Sequence, residues 1–279
     1  MSTPIRSSRS RTVILSDGAS LNVLEDGTGP ALLLISGLGG TANFWSPCVP
    51  ALAAHFRVIR LDQRGIAKST RGTAPCTIDQ LAQDCLSVLD DCGVDQAIIV
   101  GHSTGGCIAQ TMALRAPARI RACIFSATWG KPSRHRQELF STRREMLFND
   151  PVGYACTSVF MGHDANWLNQ NWNVLENARA HAPVTAEAQH IISERLDALI
   201  AFDRSADLQR LTIPALVLGA RDDLIVPSFL QEELATLLNH ADLHLLEHGG
   251  HFFPVTRTHL FIPLITEWLH TSLSRTPHA

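Results

Sequence analysis

The sequence predicts an α/β protein with a mostly parallel, eight-stranded sheet, helices on both faces and an inserted helical lid. Continuous apolar runs at 31–35, 97–100 and 215–218 have the composition of strands that are buried on both faces. Helix-like segments separate these runs, and strands that alternate with helices are typical of parallel sheets joined by right-handed crossovers. Between residues 131 and 204 this alternation stops, and helical segments rich in aromatic residues replace it.

The predicted domain organisation follows from that interruption. With 279 residues, of which 45% are hydrophobic and 18% charged, the chain is long enough to bury one large core, and single α/β domains of this length are common. We expect an α/β core formed by residues 11–130 and 205–275, a helical lid at 131–204, and a disordered tail at 1–10, which is rich in serine and arginine.

Local patterns predict the other elements in chain order. Asp17-Gly18 is a turn signal between Thr12–Ser16 and Leu21–Glu25, which predicts a β-hairpin. Thr77-Ile78-Asp79-Gln80 matches a capping box and predicts a helix that continues to Asp91. The remaining expected elements are a helix near Phe44–Ala54, a strand at Arg57–Leu61, a helix at 103–116, a helix at 228–238, a strand at 243–246 and a closing helix through Trp268.

Composition argues against several classes of partner. A net charge of −3 and a pI near 6.5 provide no basic surface for nucleic acid or an anionic membrane, and no run approaches the ~18 apolar residues of a membrane helix. The seven cysteines are odd in number and lack the spacing of a zinc site, so we expect reduced core residues in a cytoplasmic protein. The expected partner is a small-molecule substrate, and the exposed lid is compatible with a homodimer.

A candidate nucleophile lies directly after the apolar run at 97–100. Gly101-His102-Ser103-Thr104-Gly105 has the G-x-S-x-G spacing, and a helix-like stretch follows it. A serine in a tight strand-to-helix turn adopts strained backbone angles, and glycines on either side allow neighbouring chains to approach closely. This arrangement lifts the Ser103 hydroxyl towards substrate.

A serine hydroxyl hardly ionises at neutral pH, so it needs a base, and the base needs an orienting carboxylate. His251 is the candidate base, because it follows a double glycine after the last predicted strand and histidine usually titrates near ~6.5. The candidate acids are Asp222 and Asp223. The spacing to Pro227 and the interval of 28 residues to His251 favour Asp223 and leave Asp222 as a solvated neighbour. The chain order is therefore Ser, Asp, His.

An oxyanion that develops on the substrate needs amide donors already in place, and removing one such donor typically costs ~2.7–4 kcal/mol of transition-state stabilisation. We expect these donors to be the backbone N–H groups of Leu38 and Thr104. Leu38 lies in the glycine-rich segment Ser36–Gly40, directly after the run at 31–35. The expected substrate pocket includes Gly37, His102, Trp129 and Phe252.

Two weaker patterns leave alternatives open. They are formed by His240, His244, His248 and His251, and by the lid residues Arg134, Arg136, Arg143 and Arg144. On a helix the histidines would form a metal-binding face, but the segment reads as a strand, which scatters the rings, so no metal and no cofactor is expected. The arginines could bind a substrate carboxylate in a bidentate manner, although a solvated helix face is the favoured interpretation.

Together these motifs resemble those of the α/β-hydrolase fold superfamily. The segments that carry the resemblance are Leu34–Gly40, Asp62-Gln63-Arg64-Gly65, Gly101–Gly105, Asp222–Pro227 and Gly249-Gly250-His251. Within the superfamily they are similar to the aminoacrylate hydrolases of pyrimidine breakdown and, more distantly, to 3-oxoadipate enol-lactonases. The resemblance adds amide, carbamate and enamine-derived compounds to the ester and lactone substrates that are common for this kind of site.

We therefore expect a serine hydrolase that cleaves an ester, lactone, amide or enamine-type bond of a small acyl substrate through an acyl-enzyme, in a catabolic pathway. Two alternatives remain: hydrolysis of a carbon–carbon bond in a diketone-like metabolite, and a non-enzymatic ligand receptor or signalling protein on the same fold. Haloalkane dehalogenases and epoxide hydrolases are disfavoured, because those relatives carry an aspartate where this chain has Ser103.

Overall fold

The computed structural model describes residues 8–275, and within them an eight-stranded sheet runs through the molecule. The strands are β1 (Arg9–Ile14), β2 (Ser20–Asp26), β3 (Ala31–Ile35), β4 (Arg57–Leu61), β5 (Ala97–His102), β6 (Ile120–Ser126), β7 (Ala215–Ala220) and β8 (Ala241–Leu246). Their spatial order is β1-β2-β4-β3-β5-β6-β7-β8, in which β1 and β2 pair antiparallel and the strands from β4 to β8 pair parallel. The predicted fold class is confirmed.

The described helices are α1 (Val49–Leu52), α2 (Ile78–Asp91), α3 (Thr104–Arg115), α4 (Arg134–Asn149), α5 (Pro151–Gly162), α6 (Ala165–Gln170), α7 (Asn173–Ala180), α8 (Ala186–Ile200), α9 (Ser228–Leu237), α10 (Phe253–Thr256) and α11 (Thr258–Arg275). Helices α2 and α3 pack on one face of the sheet and α11 packs on the other, and further helices connect the strands or lie between β6 and β7. None of the helices in the described part of the chain combines the length and apolar character needed to cross a bilayer.

Residues 131–204, called the lid segment below, are all described and contain α4 to α8 without a strand. The segment leaves the sheet after β6 and returns to it at β7. Its separation from the rest of the chain as a lid stays a prediction.

The central strands are buried on both faces because consecutive side chains of a strand point to opposite sides. In β3, Leu33 and Ile35 pack into one core with residues of α2 and α3. Leu32 and Leu34 pack into a second core with residues of α11. The apolar runs in the sequence are continuous because alternate residues of each strand pack into these two separate cores.

Three elements differ from expectation. Residues 1–7 of the predicted tail lie outside the described residues. Arg9 and Ser10, which the sequence pattern assigns to the tail, belong to β1. This strand lies at the edge of the sheet and pairs on one side only, so it needs few apolar side chains. The helix expected near Phe44–Ala54 is a 3₁₀ turn at Ala42–Trp45 followed by α1, because Pro47 cannot continue a helix. Strand β6 was not singled out by the sequence patterns.

A buried ion cluster fixes the loop after β4. The Arg64 side chain is inaccessible to solvent and donates two hydrogen bonds of 2.8 Å to the carboxylate of Asp84 in α2. It also pairs with Asp17 in the turn between β1 and β2, and this hydrogen bond holds the pKa of the Asp17 carboxyl well below its usual range. The cluster therefore joins the hairpin, the loop after β4 and a sheet-covering helix.

Replacing Arg64 by Met should lower the free energy of unfolding by about 3–5 kcal/mol, because it leaves the buried Asp84 carboxylate without a partner. Denaturant titration at neutral pH measures this loss. The depressed pKa of Asp17 means that its contribution is present above the usual carboxyl pKa of ~3.9 and is lost as the pH falls, so the difference from wild type should shrink in acid.

The matched control is Arg144→Met, which removes an exposed ion pair with Asp197 and should change stability by less than ~1 kcal/mol. Equal losses in the two variants would show that the Arg64 cluster does not stabilise the fold in this way.

Candidate active site

Four loops converge at the carboxyl ends of β3, β5, β7 and β8, where parallel strands leave a crevice. They surround a cavity of about 310 Å³, and the lid segment lines its opposite side. The sheet side contributes Ser36, Gly37, Leu38, Gly39, Gly40, Thr41, Phe44, His102, Ser103, Ile225, His251 and Phe252, and the lid segment contributes Phe140, Arg143, Tyr154, Ser158, Ile192 and Leu199.

Ser103 lies in the tight turn between β5 and α3. Its backbone angles are φ 55° and ψ −118°, a region that residues other than glycine seldom adopt. A Cβ at Gly101 would lie 2.2 Å from the Gly105 carbonyl oxygen, and one at Gly105 would lie 2.1 Å from the Ile35 carbonyl oxygen. Only glycine therefore fits at both flanking positions, as the motif predicts.

A carboxylate orients the imidazole of His251. Its Nδ1 lies 2.8 Å from Oδ2 of Asp223, and both side chains are almost fully buried. Oδ1 of Asp223 accepts hydrogen bonds from the backbone N–H groups of Ile225 and Val226, at 2.9 and 2.8 Å. These bonds fix the carboxylate, and a proton on Nδ1 leaves Nε2 free to accept another.

The neighbouring Asp222 has a different position from the one expected. It is half-buried rather than solvated, and it accepts hydrogen bonds from the N–H groups of Gly249 and Gly250, at 3.0 and 2.9 Å. These two glycines directly precede His251. The sequence spacing favours Asp223 as the partner of the imidazole, but it does not predict that Asp222 holds the loop that carries His251.

The Ser103 hydroxyl and the His251 imidazole line the same cavity. Among the described residues no hydrogen bond uses the hydroxyl, so it is available to a ligand. Hydrogen bonds between catalytic groups are often long or absent in proteins without bound substrate and tighten in the complex.

Of the two expected oxyanion donors, Leu38 lines this cavity, and Thr104 directly follows Ser103, which also lines it. Thr104 is the first residue of α3, where helix N–H groups lack intrahelical acceptors and the helix dipole favours negative charge. Leu38 lies in the loop after β3, beside Gly37, where a Cβ would lie 3.6 Å from Oγ of Ser103. Within residues 8–275, no hydrogen bond uses the N–H of Leu38 or of Thr104.

Three of the four expected pocket residues, Gly37, His102 and Phe252, line the cavity. Trp129 does not, which corrects the sequence expectation. Its ring is fully buried and packs 6.0 Å from that of Phe140, and it is Phe140 that faces the cavity. Trp129 follows β6 closely and is held in the core below α4.

His102 is a second imidazole next to the candidate base. Its ring centre lies 4.8 Å from that of His251, its Nδ1 lies 3.1 Å from Oγ of Ser126, and its ring stacks on Phe44. Burial, assisted by the nearby His251, moves the pKa of His102 far below the usual histidine value. His102 is therefore neutral at physiological pH and forms an uncharged wall of the cavity.

The expectation of a solvated face is wrong for two of the four lid arginines. Arg134 and Arg144 are exposed, but Arg136 and Arg143 are buried. Arg143 lines the cavity, where it hydrogen-bonds Thr157 and Ser158 and lies 4.3 Å above the ring of Tyr154. Spacing alone could not show that α4 turns these two positions inward. Another arginine of the lid segment, Arg195, contacts the loop that lines the cavity and was not singled out by the sequence.

Residues 8–275 contain no group of three or more His, Cys, Asp or Glu side chains arranged to hold a metal ion. Of the four C-terminal histidines, only His251 lines the cavity. All seven cysteines are free, and burial raises the pKa of Cys107, the one nearest Ser103 in the chain, to about 12. A thiolate is therefore not available there as a competing nucleophile.

The lid segment is also tied to the loop that carries His251. The backbone N–H of Phe252 donates to the carbonyl of Gly162, at the end of α5, over 2.9 Å. A Cβ at Gly162 would lie 2.3 Å from the Phe252 ring, so the two segments are in direct contact.

Comparison with known proteins identifies the same fold. Residues 30–258 match the family model described as "alpha/beta hydrolase fold". The chain is 33% identical over 242 residues to "Putative carbamate hydrolase RutD" of Stutzerimonas stutzeri, covering 86% of this chain and 91% of that protein. It is 34% identical over 233 residues to the protein of the same name from Caulobacter segnis, covering 82% and 87%.

Solved structures of hydrolases superpose on the fold of this chain. A hydrolase from Pseudomonas aeruginosa superposes with a TM-score of 0.83 at 28% identity, covering 95% of this chain and 99% of that one. The enol-lactonase from Burkholderia xenovorans gives a TM-score of 0.81 at 25% identity, with 90% and 97% covered. The chain therefore belongs to the α/β-hydrolase fold family, and its named relatives support hydrolysis as its activity.

Proposed function

We propose that the protein is a serine hydrolase that cleaves a small acyl substrate through an acyl-enzyme. The observation that carries this proposal is the buried pair of Asp223 and His251, 2.8 Å apart, at the wall of the cavity that Ser103 also lines. Binding of a ligand alone requires neither a strained serine turn nor an imidazole whose tautomer is fixed by a carboxylate, so these features favour catalysis over a receptor.

In the proposed mechanism, the Ser103 oxygen attacks the substrate carbonyl while His251 takes the hydroxyl proton. Asp223 stabilises the resulting imidazolium, and the N–H groups of Leu38 and Thr104 donate to the oxyanion. The tetrahedral intermediate collapses, the leaving group departs with the proton from His251, and an acyl-enzyme remains. Water then attacks the acyl group by the same route and releases the acid.

The cavity argues for a small substrate that carries a negative charge. Its volume of about 310 Å³ is at the lower end for ligand sites. Among the residues that line it, Arg143 is the only one with a permanent charge, and most of the others are apolar. We propose that Arg143 binds an anionic group of the substrate, which agrees with relatives named for a carbamate.

Replacing Ser103 by Ala should reduce hydrolysis of p-nitrophenyl acetate by at least about 10³-fold, because the nucleophile is lost. Steady-state release of p-nitrophenolate measures this. Ser158→Ala removes another hydroxyl that lines the cavity and should retain most of the activity towards this neutral ester. If Ser103→Ala matched the wild-type rate, the acyl-enzyme would be excluded and a ligand receptor favoured.

Activity should fall in acid, because the candidate base His251 has to be neutral to accept the Ser103 proton. The low pKa of His102 means that this second imidazole does not contribute to the acidic limb. The kcat/KM profile between pH 5 and 8 measures the effect. Asp223→Asn should lower the plateau by about 10⁴-fold, through the wrong tautomer of His251. A flat profile with rate-limiting chemistry would contradict His251 as the base.

Replacing Arg143 by Met should lower kcat/KM for mono-p-nitrophenyl succinate, an anionic ester, by about 10–100-fold, the value of one or two charged hydrogen bonds. Turnover of neutral p-nitrophenyl acetate should change little. The control is Arg144→Met, the adjacent exposed position on α4. Equal effects of Arg143→Met on both esters would remove the proposed role in substrate binding.

A further inference from the structure

Arg195 reaches from α8 of the lid segment to the back of the loop that follows β3. Its side chain is almost fully buried. Nε donates to the carbonyl of Leu38 over 2.9 Å, and Nη2 lies 3.4 Å from the carbonyl of Gly37 and 2.5 Å from Oε1 of Gln63. One planar guanidinium thus holds two consecutive carbonyl groups of this loop.

The orientation of the Gly37 carbonyl determines where the Leu38 N–H, an expected oxyanion donor, points. The Gly37 carbonyl and the Leu38 N–H belong to the same planar trans peptide, in which the two bonds point in opposite directions. Gly40 N–H also donates to the Gly37 carbonyl, over 3.0 Å. Groups that hold the carbonyl on one side therefore aim the Leu38 N–H towards the other side, and they also polarise the amide into a stronger donor.

Gln63 extends this support by one residue. Its Nε2 donates to the carbonyl of Ser36 over 2.7 Å, while its Oε1 accepts from Arg195. Three successive carbonyls are thus held from behind by two buried side chains. Gly40, at φ 65°, completes the contact, because a Cβ there would lie 3.1 Å from Nη2 of Arg195.

The charge of Arg195 is not compensated locally. Within residues 8–275 no carboxylate forms an ion pair with it, and its buried Nη1 has no hydrogen-bond partner. Burying an unpaired cation lowers the free energy of unfolding, so Arg195 is retained at a cost to stability. In an environment of low polarity the guanidinium creates a positive potential behind the loop, directed at the place where negative charge develops in acyl transfer.

We propose that Arg195 is a positioning residue of the oxyanion hole, which aims and polarises the Leu38 N–H and thereby stabilises the tetrahedral intermediate more than the bound substrate. This role rests on the proposed serine hydrolase function. Arg71 and Glu194 anchor the same part of α8 to the loop after β4 through two hydrogen bonds of 2.8 and 2.7 Å. The lid segment therefore has to be seated on the core for the oxyanion hole to be complete.

The test compares Arg195→Met with Arg136→Met. Arg136 is a matched control, because it is also a fully buried lid arginine without a carboxylate partner among the described residues, but it contacts Trp129 and the Leu199 carbonyl. With p-nitrophenyl acetate, Arg195→Met should lower kcat by about 10²–10³-fold, as for loss of an oxyanion donor, and leave KM within about threefold. Arg136→Met should reduce thermal stability without this selective loss of kcat.

A second readout is the affinity for a small alkylboronic acid, which forms a tetrahedral adduct with a nucleophilic serine. Arg195→Met should weaken this affinity by the same factor as kcat, whereas binding of the product acetate stays unchanged. Arg195→Lys, which keeps the charge but not the planar pair of donors, should recover part of both losses, and it provides the comparison if the Met variant does not fold.

The inference is overturned if Arg195→Met keeps the wild-type kcat, or if kcat falls while the boronic acid affinity does not. It is also overturned if Arg136→Met shows the same selective loss. If wild-type protein has no Ser103-dependent turnover, the proposed function itself fails, and the two failures are therefore distinguishable.

Discussion

The close approach of three backbone segments at the end of β5 is the constraint on which the site depends. Gly105, at the start of α3, lies so near the Ile35 carbonyl that a methyl group would not fit, and Gly101 lies equally near Gly105. This contact places the serine turn directly against the loop after β3, so the candidate nucleophile lies next to both expected oxyanion donors. The strained angles of Ser103 persist because the surrounding sheet and helix leave the turn no alternative.

Much of this arrangement could be predicted from the sequence. Apolar runs revealed β3, β5 and β7, since strands buried on both faces leave a continuous signal, and the glycine pattern revealed the serine turn. Strand β1 was partly missed because an edge strand with polar residues has no such signal. Trp129 was misplaced, and the inward orientation of Arg136 and Arg143 was missed, because both depend on how the lid helices pack. Tertiary contacts, rather than local preference, decide such positions.

Buried cations are the unusual electrostatic feature of the molecule. Arg64 is neutralised by two carboxylates and stabilises the loop after β4. No such carboxylate partner is found among the described residues for Arg136, Arg143 or Arg195. Arg143 lines the cavity, and Arg195 contacts the loop after β3 that carries Leu38. Aromatic rings and hydrogen bonds offset part of the desolvation cost of Arg136 and Arg143, and an anionic ligand or intermediate would offset more of it at Arg143 and Arg195. Positive potential is thus concentrated at a cavity that is otherwise mostly apolar.

The hydrogen bond between Phe252 and Gly162 has a consequence for how such an enzyme could diverge. It joins the lid segment to the loop of the candidate base, just as α8 is joined to the loop after β3. Exchanging the lid segment of this protein for the corresponding segment of a relative would therefore alter the positions of the candidate catalytic loops as well as the shape of the pocket. New specificity in this lineage would therefore arise more readily from single side chains that face the cavity than from transplanted helices.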